Sequence, residues 1–194
     1  MAFIKWYHRY YGLKPEHKVA AYASFGFDAD MMDLYPALTT GASVCIIPEE
    51  IRLDLYTLGS YMEQHGVTHG FMTTQVGYQF VTLFPSHPTL KHLSIGGEKL
   101  APIDPPVGYR LYNPYGPTEC TIFSTIYPVT VREANIPIGR PLDTLSCSIV
   151  NKYGRRLPAG AAGELIISGD QVSRGYLNRP DKTAEVFGVF GEKS

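Results

Sequence analysis

Apolar side chains recur at helical intervals over residues 2–12, which predicts a short amphipathic helix ended by Gly12 and Pro15. The run KVAAYASF (18–25) then reads as a buried strand. Next comes DADMMDLYPALTTG (28–41), a helix whose aspartate-rich first turn suits the positive end of the helix dipole. ASVCIIP (42–48) is β-branched and stops at proline, so a second strand is expected there. The alternation continues with helices over 53–66 and 74–84 and strands over 67–73, 90–97 and 109–116. Strands separated by helices of roughly 10–15 residues specify βαβ units and a parallel sheet covered on both faces.

After residue 118 the pattern changes. CTIFSTIYPVTV (120–131), LSCSIVNKYG (145–154) and GELIISG (163–169) are β-rich, with turn-forming residues and no helical spacing between them, so an antiparallel sheet or part of a barrel is expected. PDKTAEVF (180–187) predicts one more short helix. The expected class is therefore α/β: a parallel sheet flanked by helices over 1–118, then a smaller β-rich, barrel-like segment over 119–194.

Composition narrows the function classes. With 44% hydrophobic and 18% charged residues, the chain carries enough apolar material for a core. A formal net charge of −1 without a basic block gives no reason to expect nucleic acid or anionic lipid as a partner. No apolar run approaches the ~20 residues of a membrane span. Cys45, Cys120 and Cys147 are odd in number and form no CxxC pair, which favours a reducing cytoplasm over a disulfide framework. There is no GxxxxGK[ST] loop, no GxGxxG and no GxSxG elbow.

In an open parallel sheet, ligands bind beyond the carboxyl ends of the strands. FGFDAD, SIGGEKL and NPYGPTE are all expected at that edge. Asp28 directly follows an apolar strand, and Gly96 with Gly97 would let backbone pass close to a flat ligand. Asn113, Tyr115, Thr118 and Glu119 put an amide, a ring, a hydroxyl and a carboxylate on one turn. Each also has an ordinary explanation: an N-cap for Asp28, a tight turn for the glycines, a Pro-Gly loop for the rest.

NPYGPTE resembles the NxYGPTE signature of amino-acid adenylation domains of nonribosomal peptide synthetases, part of the adenylate-forming superfamily that includes acyl-CoA ligases and luciferases. GELIISGDQVSRGYL (163–177) resembles the next signature of these domains, with Ser173 where alanine is usual. FGFDADMMDLYPALTTGA (25–42) resembles the upstream aromatic-Phe-Asp motif and its helix. The resemblance runs in order along essentially the whole chain.

It implies a flavodoxin-like subdomain with the amino-acid pocket and adenine shelf, followed by the start of a barrel subdomain. It implies that Tyr115 stacks on the adenine of ATP and that Asn113 hydrogen-bonds its amino group. Gly96 and Gly97 would run beside the purine, Gly116 would shape the turn, Thr118 would contact the α-phosphate, and Glu119 would help hold Mg²⁺. Asp28 would pair with the substrate ammonium. Ala29, Met32, Phe71, Ser94, Gly96, Pro114, Ile122 and Phe123 would line the side-chain pocket. That lining is apolar except for Ser94, which implies a hydrophobic or aromatic amino acid. Arg174 is expected to be structural. The implied product is an aminoacyl-AMP, passed to a phosphopantetheine thiol on a separate peptidyl-carrier domain. The family's β,γ-phosphate loop, TGD aspartate and lysine-bearing C-terminal domain have no counterpart in the sequence. The chain is therefore expected to be an internal slice, inactive alone and partnered by the remainder of its domain.

Overall fold

A computed structural model describes residues 2–188. The elements run α1 (Ala2–Tyr11), β1 (Lys18–Ala21), α2 (Ala29–Thr40), β2 (Ser43–Ile46), α3 (Leu55–Gln64), β3 (His69–Thr73) and α4 (Thr74–Leu83). They continue β4 (His92–Gly96), β5 (Arg110–Tyr115), β6 (Thr125–Val129), β7 (Arg140–Pro141), β8 (Leu145–Val150), β9 (Glu164–Gly169) and α5 (Pro180–Val186). The last six positions, to which the sequence reading extends its β-rich segment, lie outside the described residues.

One seven-stranded sheet has the order β2-β1-β3-β4-β5-β6-β7. Its first five strands are parallel, and β6 and β7 add antiparallel. Alternation along each strand divides the core between two faces. Val19, Tyr112 and Ile126 join α1 and α2 on one side, with Phe3, Trp6, Tyr7, Tyr11, Met32 and Ala37. Ala20, Met72, Leu93, Ile95 and Leu111 join α3 and α4 on the other, with Leu58, Met62, Phe80 and Val81. Both faces are covered by helices, as the βαβ pattern requires.

Three local outcomes differ from the sequence reading. Strand β1 ends at Ala21, because the N–H groups of Tyr22 and Ala23 donate to the Asp33 carboxylate, each at 2.9 Å, and not to a neighbouring strand. Strand direction reverses just after residue 118, but the sheet does not end there: β6 pairs with β5 from Leu111↔Val129 to Tyr115↔Thr125. The short turn out of β5 returns the chain alongside it, which only an antiparallel neighbour can follow. The change of sheet comes later, between Pro141 and Leu145, where β8 and β9 form a separate antiparallel pair. Strand β7, two exposed residues long, leaves no periodic signal to read. Among the described residues, no helix is long and apolar enough to cross a membrane.

Candidate functional site

The carboxyl edge of the sheet gathers the loop after β1, the glycines ending β4 and the turn out of β5. Asp28 sits at the N-cap position of α2, yet its backbone is α-helical and its side chain makes no capping bond. Its Oδ2 instead accepts the N–H of Ile122 at 3.2 Å, across 94 residues of sequence. The aspartate that reads locally as a cap therefore joins α2 to the turn beyond Tyr115.

That turn is held under backbone strain. Thr121 and Ile122 both have positive φ, 61° and 73°, a region β-branched residues rarely enter. Such conformations cost about 1–3 kcal/mol each and persist only where surrounding contacts over-determine them. The contacts here are the Asp28–Ile122 bond and donation from Thr121 Oγ1 to the Gln171 carbonyl at 2.7 Å. Gly116 is obligatory for packing: a Cβ there would lie 2.3 Å from the Phe123 backbone, since Ser124 N returns to Tyr115 O at 2.8 Å.

Successive residues of β5 serve different faces. The Tyr115 ring is 43% exposed. Asn113 is buried and donates from Nδ2 to Pro137 O at 2.9 Å, which fixes its other amide atom as the acceptor. Thr118 is exposed and opens a single 3-10 turn ending at Cys120, itself buried. Gly97 has φ 110° with open space beside it, and Gly96 is buried against Pro114 and Phe71. The residues expected to line the pocket lie on the α1/α2 side, following the registers Phe71↔Ser94 and Ser94↔Tyr112. Asp28, Ala29, Phe71 and Ile122 are half-buried, and Met32, Ser94, Pro114 and Phe123 are buried.

Glu119 is tied to the second motif. Its carboxylate accepts the Tyr176 hydroxyl, and its carbonyl accepts Ser173 N at 2.7 Å. The Tyr176 bond holds the Glu119 carboxyl below the usual glutamate range, so it is ionised at neutral pH. One such carboxylate fits the usual provision for Mg²⁺, which takes one or two protein carboxylates and completes its shell with phosphate and water. The sequence reading misses Tyr176; its place in RGYL is the only local signal, and the partner is 57 residues away. Arg174, the more conspicuous residue there, is exposed.

Two surface clefts, of about 570 and 550 Å³, open at the opposite edge of the sheet, where β4 and β5 begin around His92 and Arg110. Neither is lined by any residue the sequence assigns to the site.

A family model described as AMP-binding enzyme matches residues 1–177. The chain is 38% identical over 182 residues to bacitracin synthase 1 of Bacillus licheniformis, covering 94% of this chain and 3% of that protein. It is 39% identical over 183 residues to surfactin synthase subunit 2 of Bacillus subtilis (strain 168), covering 94% and 5% respectively. The fold superposes with a TM-score of 0.80 and 26% identity on the Vibrio cholerae adenylation domain AlmE in complex with glycyl-adenosine-5'-phosphate, over 94% of this chain and 37% of that one. It superposes with a TM-score of 0.89 and 24% identity on the AMPPNP-bound nonribosomal peptide synthetase FmoA3, over 97% and 22%. The chain thus spans a small part of each of these proteins. With its motifs in order and its fold shared with adenylation domains, the chain belongs to the AMP-binding enzyme family.

Proposed function

We propose that this chain is the central part of an amino-acid adenylation domain, in a longer enzyme that uses ATP to make an aminoacyl-AMP and pyrophosphate. Tyr115 is the stacking surface for adenine, the Asn113 acceptor meets the adenine amino group, and Gly96 and Gly97 pass beside the purine. Thr118 contacts the α-phosphate. Glu119 helps hold Mg²⁺, which when bound offsets phosphate charge. What the chain itself contributes is positioning and charge at a fixed turn. The aminoacyl group then passes to the phosphopantetheine thiol of a carrier domain, and the remainder of the adenylation domain walls the adenine shelf.

The observation that carries this reading is the Asp28–Ile122 bond. It fixes one carboxylate oxygen of Asp28, which supports the reading that the other receives the substrate ammonium. An unpaired cation in a site of low polarity costs several kcal/mol, so a fixed counter-charge selects substrates that bring an amine. This favours an amino-acid activator over an acyl-CoA ligase. The apolar lining supports a hydrophobic or aromatic amino acid. In the full-length enzyme, Asp28→Ala should lower amino-acid-dependent pyrophosphate exchange by two orders of magnitude or more, on the order of 3 kcal/mol. Exchange at the wild-type rate would refute the assignment.

A further inference from the structure

Ser94 is the one hydroxyl in the proposed pocket lining, and its hydroxyl is already engaged. Its Oγ lies 2.8 Å from the phenol oxygen of Tyr11, the last residue of α1, 83 positions earlier. Both side chains are buried, at 3% and 4% exposure. The Tyr11 ring has no freedom to turn away. It is packed edge-on against Trp6, His92 and Tyr112, with centroids at 5.9, 5.5 and 5.2 Å. One of the two hydroxyls donates and the other accepts; with Ser94 as the donor its proton is directed at the phenol oxygen and away from the pocket. Burial also pushes the Tyr11 phenol well above its usual range, so it stays a neutral partner. The same helix grips Phe123, whose ring is met edge-on by Phe3 at 5.0 Å and Trp6 at 5.4 Å.

We infer that α1 is the floor of the amino-acid pocket and that Tyr11 is a specificity-positioning residue, which keeps the Ser94 hydroxyl from being presented to the substrate side chain. The inference rests on the proposed reading of Ser94 and Phe123 as pocket lining. Its consequence is that a pocket with a serine in its wall behaves as an apolar one. A site that offers a free hydroxyl rewards a substrate hydroxyl, whereas a purely apolar one discriminates against an added hydroxyl by only about 10²-fold. Tyr11 therefore sets which regime the pocket occupies without itself touching the ligand.

The test is pyrophosphate exchange by the full-length enzyme with pairs differing by a hydroxyl: alanine and serine, valine and threonine, phenylalanine and tyrosine. The readout is the ratio of kcat/KM within whichever pair is best used, with thermal stability measured alongside. Tyr11→Phe should cut the preference for the apolar member about tenfold, the value of one hydrogen bond. The double variant Tyr11→Phe/Ser94→Ala, which removes both halves of the bond, should restore the wild-type ratio. A purely structural role would lower stability in Tyr11→Phe and leave the ratio where it was; that result overturns the inference, as does a double variant that stays shifted. Wild-type exchange in Asp28→Ala would instead remove the pocket itself and both conclusions with it.

Discussion

Tyr115 and Tyr11 are placed in opposite ways, one half-open and one buried. The first is 43% exposed at the end of β5, in a turn whose backbone is pinned by Gly116 and Asp28. The second is 4% exposed, enclosed by Trp6, His92 and Tyr112, with its hydroxyl spent on Ser94. Both belong to the proposed substrate site, and the difference between them separates two tasks. A flat π-surface for a nucleotide must stay open, because stacking needs one free face. A floor that discriminates between amino acids must be closed, because specificity there comes from volume and from polar groups already satisfied. The shelf is built from strain in one turn, and the floor from packing between elements remote in sequence.

The sharpest way to break this contrast, after Asp28→Ala, is at the open ring. Tyr115→Ala removes a stacking surface worth about 1–3 kcal/mol and should raise the KM for ATP roughly 5- to 150-fold. Tyr115→Phe should leave it within about twofold, since the ring face and not the hydroxyl is the contact. Fold and thermal stability should be nearly unchanged in both, because a half-open side chain leaves no cavity when shortened. A large loss of stability in Tyr115→Ala would show that the ring is packing after all, and would erase the distinction from Tyr11.

A smaller effect is expected where the two motifs touch. Tyr176→Phe removes the hydroxyl that Glu119 accepts. That bond is the main reason the Glu119 carboxyl lies below its usual range, so its loss lets the pKa rise. The charged form, which Mg²⁺ requires, is present above that pKa and lost as pH falls through it. The acid limb of the pH–rate profile should therefore move to higher pH in the variant, with the KM for Mg·ATP at neutral pH, where the carboxyl is ionised in both proteins, changing by less than about threefold. An unchanged acid limb would mean that Tyr176 steadies the loop without tuning the carboxylate.

The contrast also explains what the sequence made legible. The α/β class, the nearly complete run of elements through β5 and the placing of three motifs at one edge all follow from local periodicity and short signatures. Tyr115, Thr118 and Glu119 lie on one turn, so a single stretch carries the chemistry proposed for them. The pairings Asp28 to Ile122, Tyr11 to Ser94 and Glu119 to Tyr176 span 94, 83 and 57 residues and exist only through the tertiary fold. Nothing in the apolar spacing of α1 distinguishes a pocket floor from any other helix packed on a sheet. For the same reason β6 looked separable from the parallel sheet: its composition changed at the point where only its direction had.

The least disruptive probe lies beneath the site, at Asp33. Its carboxylate is 1% exposed and accepts two N–H groups at the end of β1, which places the loop carrying Asp28. Burial pushes its pKa up to about 8, against the lowering effect of the bonds from Ala23 and Tyr22, with Asp30 raising it further and Arg52 opposing. A group with a raised folded pKa contributes stability that is fully present below the unfolded carboxylate range, near 4, and lost as pH rises towards 8. The folded state binds the extra proton in that window, so the slope of stability against pH is negative there. Asp33→Asn keeps an acceptor for both N–H groups and removes the charge, so it should flatten that slope and change stability at pH 5 by less than about 1 kcal/mol. Urea midpoints at pH 5 and pH 8, followed by the fluorescence of Trp6, the chain's single tryptophan, read the difference directly. If wild type is instead more stable at pH 8 than at pH 5 and the asparagine variant is weaker at both, the two backbone bonds outweigh burial. Asp33 is then a charged anchor for the Asp28 loop.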